Sequence, residues 1–213
     1  VLFRSANNYT TEYTVAEDVT VAGSTRNERL IVEGEATITL NNADMSLNEC
    51  KGSPIEIAER VSATLILEGE NTLSAYADGP GILVKQGATL TIKANSGEGE
   101  SDSLTVSGAS AGIKGGATMG GGGGSITTDG YAGIGGPNFE NSTQYTGTIK
   151  IESGTITATG YSYGAGIGGG DYSSGGTIEI TGGTVTAING GTDPSGWVSN
   201  TDKKASGIGA SQG

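Results

Sequence analysis

Apolar and hydroxylic residues alternate along short stretches of this chain, and glycine closes most of them. Thr148-Ile-Lys-Ile151 and Thr155-Ile-Thr-Ala158 place Ile149, Ile151, Ile156 and Ala158 on one side of an extended backbone. Thr148, Lys150, Thr155 and Thr157 take the other side. A period of two predicts strands, and the glycine punctuation predicts corners between them. A third short strand, Ala165-Gly-Ile167, follows after Tyr161-Ser-Tyr-Gly164. The passage then repeats: Gly147-Thr-Ile-Lys-Ile-Glu-Ser-Gly-Thr-Ile-Thr-Ala-Thr-Gly160 returns as Gly176-Thr-Ile-Glu-Ile-Thr-Gly-Gly-Thr-Val-Thr-Ala-Ile-Asn189. The offset of about 29 residues lies in the range of solenoid repeats. A unit this short cannot bury its own apolar face, so copies must stack.

The same grammar extends upstream. One turn reads Ala63–Leu67, Asn71–Ala75 and Gly81–Val84; the next reads Ala88–Ile92, Ser103–Ser107 and Ala111-Gly-Ile113. A poorer turn reads Ala117–Met119, Ser125–Thr128 and Ala132-Gly-Ile134, and Ala36–Leu40 and Pro54–Ala58 lie further back. Ile57, Ile82, Ile113, Ile134, Ile167 and Ile208 are the expected third-strand core residues. The expected architecture is all-β, a parallel β-helix of about six turns of three short strands, seven with Tyr13–Ala16 and Val19–Val21. Residues 11–213 form one domain in this reading, and residues 1–10 are a lead segment outside the fold. Insertions fall between strands, at Asn95–Asp102, Pro137–Thr143, Asp171–Gly175 and Gly190–Lys204. A propeller needs about four strands per longer blade; a loose β-sandwich stays open as an alternative.

Composition narrows the function. The 213 residues include 40 Gly, 11 basic and 23 acidic residues and no His, for a net charge of −12. Such a charge repels phosphate backbones and argues against nucleic acid as a partner. Without His there is no His-based triad and no HExxH metal site. Cys50, the single cysteine, reads as a small packed thiol. No stretch of about 20 apolar residues is present to insert into a bilayer as a helix. The start at Val1 suggests a piece of a larger surface protein.

Four sets of residues could carry chemistry. Tyr76, Tyr131, Tyr161 and Tyr163 each precede a third strand, and equivalent positions of a solenoid stack into a column. A tyrosine column offers π faces to sugar C–H groups and hydroxyls to sugar oxygens; alternatively these rings only buttress corners. Trp197, in the Gly190–Lys204 loop, is either a sugar platform or a cap on its own loop. Glu98, Glu100, Asp102, Asp129 and Asp171 are the candidate calcium ligands, because calcium takes oxygens and glycine-rich corners expose carbonyls; a solvated acidic surface is the alternative. Thr155/Thr157 and Thr184/Thr186 form outward Thr-x-Thr pairs of the kind that suits ice binding, but the pattern breaks at Leu73-Ser74 and at the lone Thr105. Finally, Lys85, Lys93 and Lys114 occur in neighbouring turns and could serve a polysaccharide lyase, although no repeated acid trio accompanies them.

Ile38-Thr-Leu-Asn-Asn-Ala-Asp-Met45, Ser53-Pro-Ile-Glu-Ile-Ala58 and Leu65-Ile-Leu-Glu-Gly-Glu-Asn-Thr-Leu73 resemble the carbohydrate-binding β-helix proteins of clostridia and relatives, which share the pectate-lyase shape. Gly164-Ala-Gly-Ile-Gly-Gly169 with Gly182-Gly-Thr-Val-Thr-Ala187 resembles glycine-rich repeats of Gram-positive surface and adhesin proteins. The resemblance implies a right-handed parallel β-helix outside the cell, non-catalytic and bound to polysaccharide or a cell-surface glycan, with calcium as an optional aid. A purely structural stalk and a polysaccharide lyase are the alternatives. The resemblance transfers no site residues.

Overall fold

The computed structural model describes residues 11–48, 52–76, 79–95, 102–109, 131–136, 146–161, 164–170, 173–190 and 206–210. All regular structure among them is strand. The chain enters on β1 (Thr11–Val15) and then winds through successive turns: β2 (Val19–Thr25) and β3 (Glu28–Val32), then β4 (Ala36–Ser46) and β5 (Ile55–Ile57). The third turn holds β6 (Ser62–Glu68), β7 (Glu70–Ser74) and β8 (Ile82–Val84), and the fourth holds β9 (Thr89–Ala94), β10 (Ser103–Ser107) and β11 (Ile134–Gly135). The fifth holds β12 (Thr148–Ile151), β13 (Thr155–Thr159) and β14 (Ile167–Gly168), and the last β15 (Thr177–Ile180), β16 (Thr184–Ile188) and β17 (Ile208–Gly209). Each strand pairs in parallel with its counterpart one turn on. The result is a parallel β-helix, as the repeat predicts.

Two sheets wrap the core. One has seven strands in the order β1-β3-β5-β8-β11-β14-β17. The other forks: the long β4 pairs with β6 along its first half and with β7 along its second. From there one arm runs β6-β9-β12-β15 and the other β7-β10-β13-β16. The early turns therefore have two strands where three were expected. β2 and β4 run through a corner that later turns break, at Gly69, Gly154 and Gly183, all with positive φ.

Inward residues stack turn on turn. Ile38, Leu65, Ile92, Ile151 and Ile180 form one column, and Met45, Leu73, Val106, Ala158 and Ala187 another. Burial of each large side chain contributes about 1.5–3 kcal/mol. One inward column contains a polar residue: Asn71 pairs with Leu104, yet is only 2% exposed. Its Oδ1 accepts the Ala43 N–H at 2.9 Å, and its Nδ2 donates to the carbonyls of Glu68, Gly69 and Ser103 at 3.2–3.3 Å. These backbone groups lie where one strand becomes two, so the amide replaces the ladder bonds that the fork interrupts.

The Gly-Ile-Gly repeat has a steric cause. Ile134, Ile167 and Ile208 stack in register after Ile82. Gly135 and Gly168 follow at φ +144° and +135°, and a Cβ on either would fall under 2 Å from the carbonyl oxygen of the glycine one turn on. No other residue fits that approach.

One expected turn is absent from the stack. Ile82 pairs directly with Ile134, and β10 pairs directly with β13, so no rung separates the third-strand positions of Ile82 and Ile134. Ile113, Ala117–Met119 and Ser125–Thr128 lie outside the described residues. The string Ala-Gly-Ile imitates a third strand, but the strand that fills the slot begins at Ile134. Cys50 also lies outside the described residues.

Candidate functional site

The outward face of β7, β10, β13 and β16 is mostly hydroxylic, with Glu70 on its first strand and the exposed Ile188 on its last. Ser103, Thr155 and Thr184 form one column, following Glu70. Thr72, Thr105, Thr157 and Thr186 form the next, following Asp44. Ser46, Ser74, Ser107 and Thr159 form the third. The Thr-x-Thr pair breaks at the lone Thr105, whose neighbour in the pair is Ser103, but the single column from Thr72 to Thr186 is continuous. Alignment on Leu73-Ser74 puts the wrong parity outward, whereas Leu73 belongs to the core and Thr72 to the face. Rungs repeat at about 4.8 Å, and alternate residues along a strand at about 6.6 Å. Threonine χ1 is restricted, so these hydroxyls are held at fixed positions. Ser107 Oγ donates to Ser74 Oγ at 2.9 Å, coupling adjacent rungs.

Charge is confined to the N-terminal edge of this face. Asp44 pairs with Arg26 at 3.0 Å and also accepts from the Ser46 hydroxyl and the Ser46 N–H. Burial works against its charge, but the hydrogen bonds from Ser46 and Arg26 and the Arg26 charge outweigh it, so Asp44 sits below the usual carboxylate range. A depressed carboxylate stabilises the fold above its unfolded pKa, and that contribution is lost as pH falls through the lowered folded value. Asp44→Asn is therefore expected to flatten the acid limb of the stability curve, as read from denaturant midpoints between neutral and acid pH.

The face on the other arm of the fork differs. Thr37, Thr64 and Thr91 begin a column there, but Lys150 and Glu179 continue it as an ion pair at 3.2 Å. A polar depression of about 240 Å³ lies beside Thr37, Thr64, Thr89 and Thr91. Its rim is acidic: Asp18 accepts the Thr37 N–H at 2.7 Å, and Glu35 stands nearby.

Tyrosines stand where the hydroxyl face meets its corner. Tyr76 follows Ser74 and Ala75, and Tyr161 follows Thr159 and Gly160. Tyr76 is 50% exposed and Tyr161 is partly exposed. Tyr131 is 9% exposed and packs with Ala75 and Ala109, and its carbonyl accepts the Tyr161 N–H at 2.8 Å. Three of the candidate tyrosines thus gather at one corner of the coil, two of them with accessible ring surface. Tyr163 and Trp197 lie outside the described residues.

Of the candidate calcium ligands, Asp102 is buried, and its Oδ1 accepts the Gly69 N–H at 2.8 Å, which ties the broken corner to the next turn. Glu98, Glu100, Asp129 and Asp171 lie outside the described residues. Of the candidate lysines, Lys85 closes the third strand and pairs with Glu56, Lys93 lies on β9 in the other sheet, and Lys114 is outside the described residues. The hydroxyl face itself was legible only as two Thr-x-Thr pairs, because Ser, Thr and Glu at its remaining positions carry no common motif.

Residues 149–171 and 178–212 match the family model described as the beta helix repeat. Over those residues the last two coils are similar to beta helix repeats. The matched segments begin within β12 and β15 and reach beyond β14 and β17. No curated protein and no solved structure matches the chain. The earlier turns continue the same ladders without interruption, so the β-helix extends back to Thr11.

Proposed function

We propose that this chain is a non-catalytic glycan-binding module, displayed outside a bacterial cell, that holds an extended polysaccharide against the hydroxyl face. The supporting observation is the three-column face of fixed Ser and Thr hydroxyls bordered by Tyr76 and Tyr161. Hydroxyls that both donate and accept suit sugar hydroxyls, and a phenol ring suits the C–H face of a pyranose. A rigid face binds without a large ordering cost. Calcium bridging between acidic sugars and the acidic segment around Glu98 and Glu100 belongs to the same proposal.

A panel of insoluble and soluble polysaccharides, probed by pull-down with calcium and with a chelator, tests it. Saturable binding is expected, and Tyr76→Ala with Tyr161→Ala should weaken it about 10- to 100-fold, as the loss of one or two stacking contacts worth about 1–1.5 kcal/mol each predicts. Retention of full affinity by the double variant would remove the tyrosines from the site. No binding to any glycan would leave the chain a structural spacer, and unsaturated products absorbing in the ultraviolet would make it a lyase. Equal affinity and melting with calcium and chelator would remove the metal. A second reading rests on the unbroken threonine column: a flat, rigid hydroxyl lattice can adsorb to ice. Thermal hysteresis and ice-recrystallisation assays decide that reading, and their failure leaves the glycan proposal untouched.

A further inference from the structure

The core is not apolar throughout. At the N-terminal end of the stack, the inward column that opens the third strand carries Glu28 in one turn and Ser53 in the next. The register Leu30 with Ile55 fixes this, because each polar residue lies two positions before its partner in that pair. Both are buried, at 6% and 1% exposure. The Glu28 carboxylate has two unlike oxygens. Oε1 accepts from the Tyr13 hydroxyl at 3.2 Å, while Oε2 has no partner. Ser53 Oγ has no partner either. The turn that positions Glu28 is fixed by Thr25, whose Oγ1 accepts the Glu28 N–H at 3.1 Å and the Asn27 N–H at 3.4 Å.

No described cation neutralises this carboxylate. Arg26 pairs with Asp44, Arg29 pairs with Glu12 and Glu56, and Lys85 pairs with Glu56. Arg29 adjoins Glu28 in a strand, so the two side chains leave on opposite faces. Tyr13, held above the ordinary phenol range by burial and then by Glu28, keeps its proton and remains a donor rather than a charge partner. A buried carboxylate with one neutral donor is costly unless a counter-charge reaches it.

We propose that this corner binds one alkali-metal cation between Glu28 Oε2 and Ser53 Oγ. The ligand atoms are all oxygen, which suits a hard cation. One carboxylate balances one positive charge, and calcium sites generally collect several acids; among the described residues no cluster of three acids, His or Cys exists. A water molecule would satisfy the hydrogen bonds but leave the charge unbalanced. The cation closes the N-terminal end of the core electrostatically, and its binding is linked to folding.

The test is thermal unfolding of the full chain in sodium, potassium and choline chloride at equal ionic strength, so that screening is constant. The wild type is expected to melt about 2–4 °C higher in an alkali salt than in choline. Glu28→Gln should abolish that difference by removing the charge that selects the ion. Should Glu28→Gln not fold, Ser53→Val keeps the carboxylate and removes one ligand, and should raise the sodium concentration needed for half of the effect. Equal melting in all three salts overturns the proposal, as does an alkali-specific gain that survives Glu28→Gln or a sodium midpoint that Ser53→Val leaves unchanged.

Discussion

Replacing Gly168 with alanine is expected to destabilise the coil stack by about 2–4 kcal/mol, among the largest effects of any single methyl group in this chain. Two independent costs add. The backbone at φ +135° lies where L side chains rarely go, and the new Cβ would sit 1.9 Å from the Gly209 carbonyl oxygen. Backbone cannot yield as a flexible side chain would, so the last two turns must separate. Gly23 separates the two costs: its φ of +89° is also positive, but an added Cβ meets nothing within 4 Å. Gly23→Ala should cost only about 1 kcal/mol. Denaturant midpoints of the two variants provide the comparison. Equal losses would mean that close rung packing is not what selects glycine here.

The second large effect is expected at Asn71. Asn71→Leu should lower stability by about 2–3 kcal/mol, even though leucine occupies the neighbouring position of the same column at Leu104. An apolar side chain would leave the Ala43 N–H and three carbonyls without the amide that now serves them. The control is Asn95→Ala: its Nδ2 donates to Glu68 at 3.0 Å, but the residue is exposed, so the change should stay within about 0.5 kcal/mol. Hydrogen exchange at Ala43 provides a local readout, because its N–H should exchange faster in the Asn71 variant. A leucine variant as stable as the wild type would mean that the fork needs no polar bridge.

Much of this architecture was legible because apolar alternation and glycine spacing are both consequences of stacking. Ile149, Ile156 and Ile167 reveal their columns, since each is apolar at an inward position of a repeated unit. Ile113 misleads for the same reason: a local Ala-Gly-Ile has the right composition, but only pairing across turns shows that Ile134 takes the slot. Polar core residues are illegible by nature. Asn71, Glu28 and Ser53 look like surface residues until their hydrogen bonds and burial are known. The hydroxyl face was half legible. Thr155, Thr157, Thr184 and Thr186 announce it, but its continuation through Thr72 and Thr105 depends on a register that Leu73-Ser74 obscures. The tyrosines divide for a geometric reason: they lie past the strand ends, where parity no longer tells an exposed ring such as Tyr76 from a packed one such as Tyr131.

A comparison of faces tests the functional account most directly. Thr105→Arg with Thr157→Arg places two bulky charges in the centre of the hydroxyl face, while Thr64→Arg with Thr91→Arg does the same on the other arm of the fork. Both pairs are outward, on neighbouring or aligned strands, so their effects on stability should be alike. Binding isotherms for the glycan identified in the panel should collapse for the first pair and be preserved for the second. Equal affinity for the two variants, or loss confined to the Thr64 and Thr91 pair, would contradict the assignment of the β7, β10, β13 and β16 face as the binding surface.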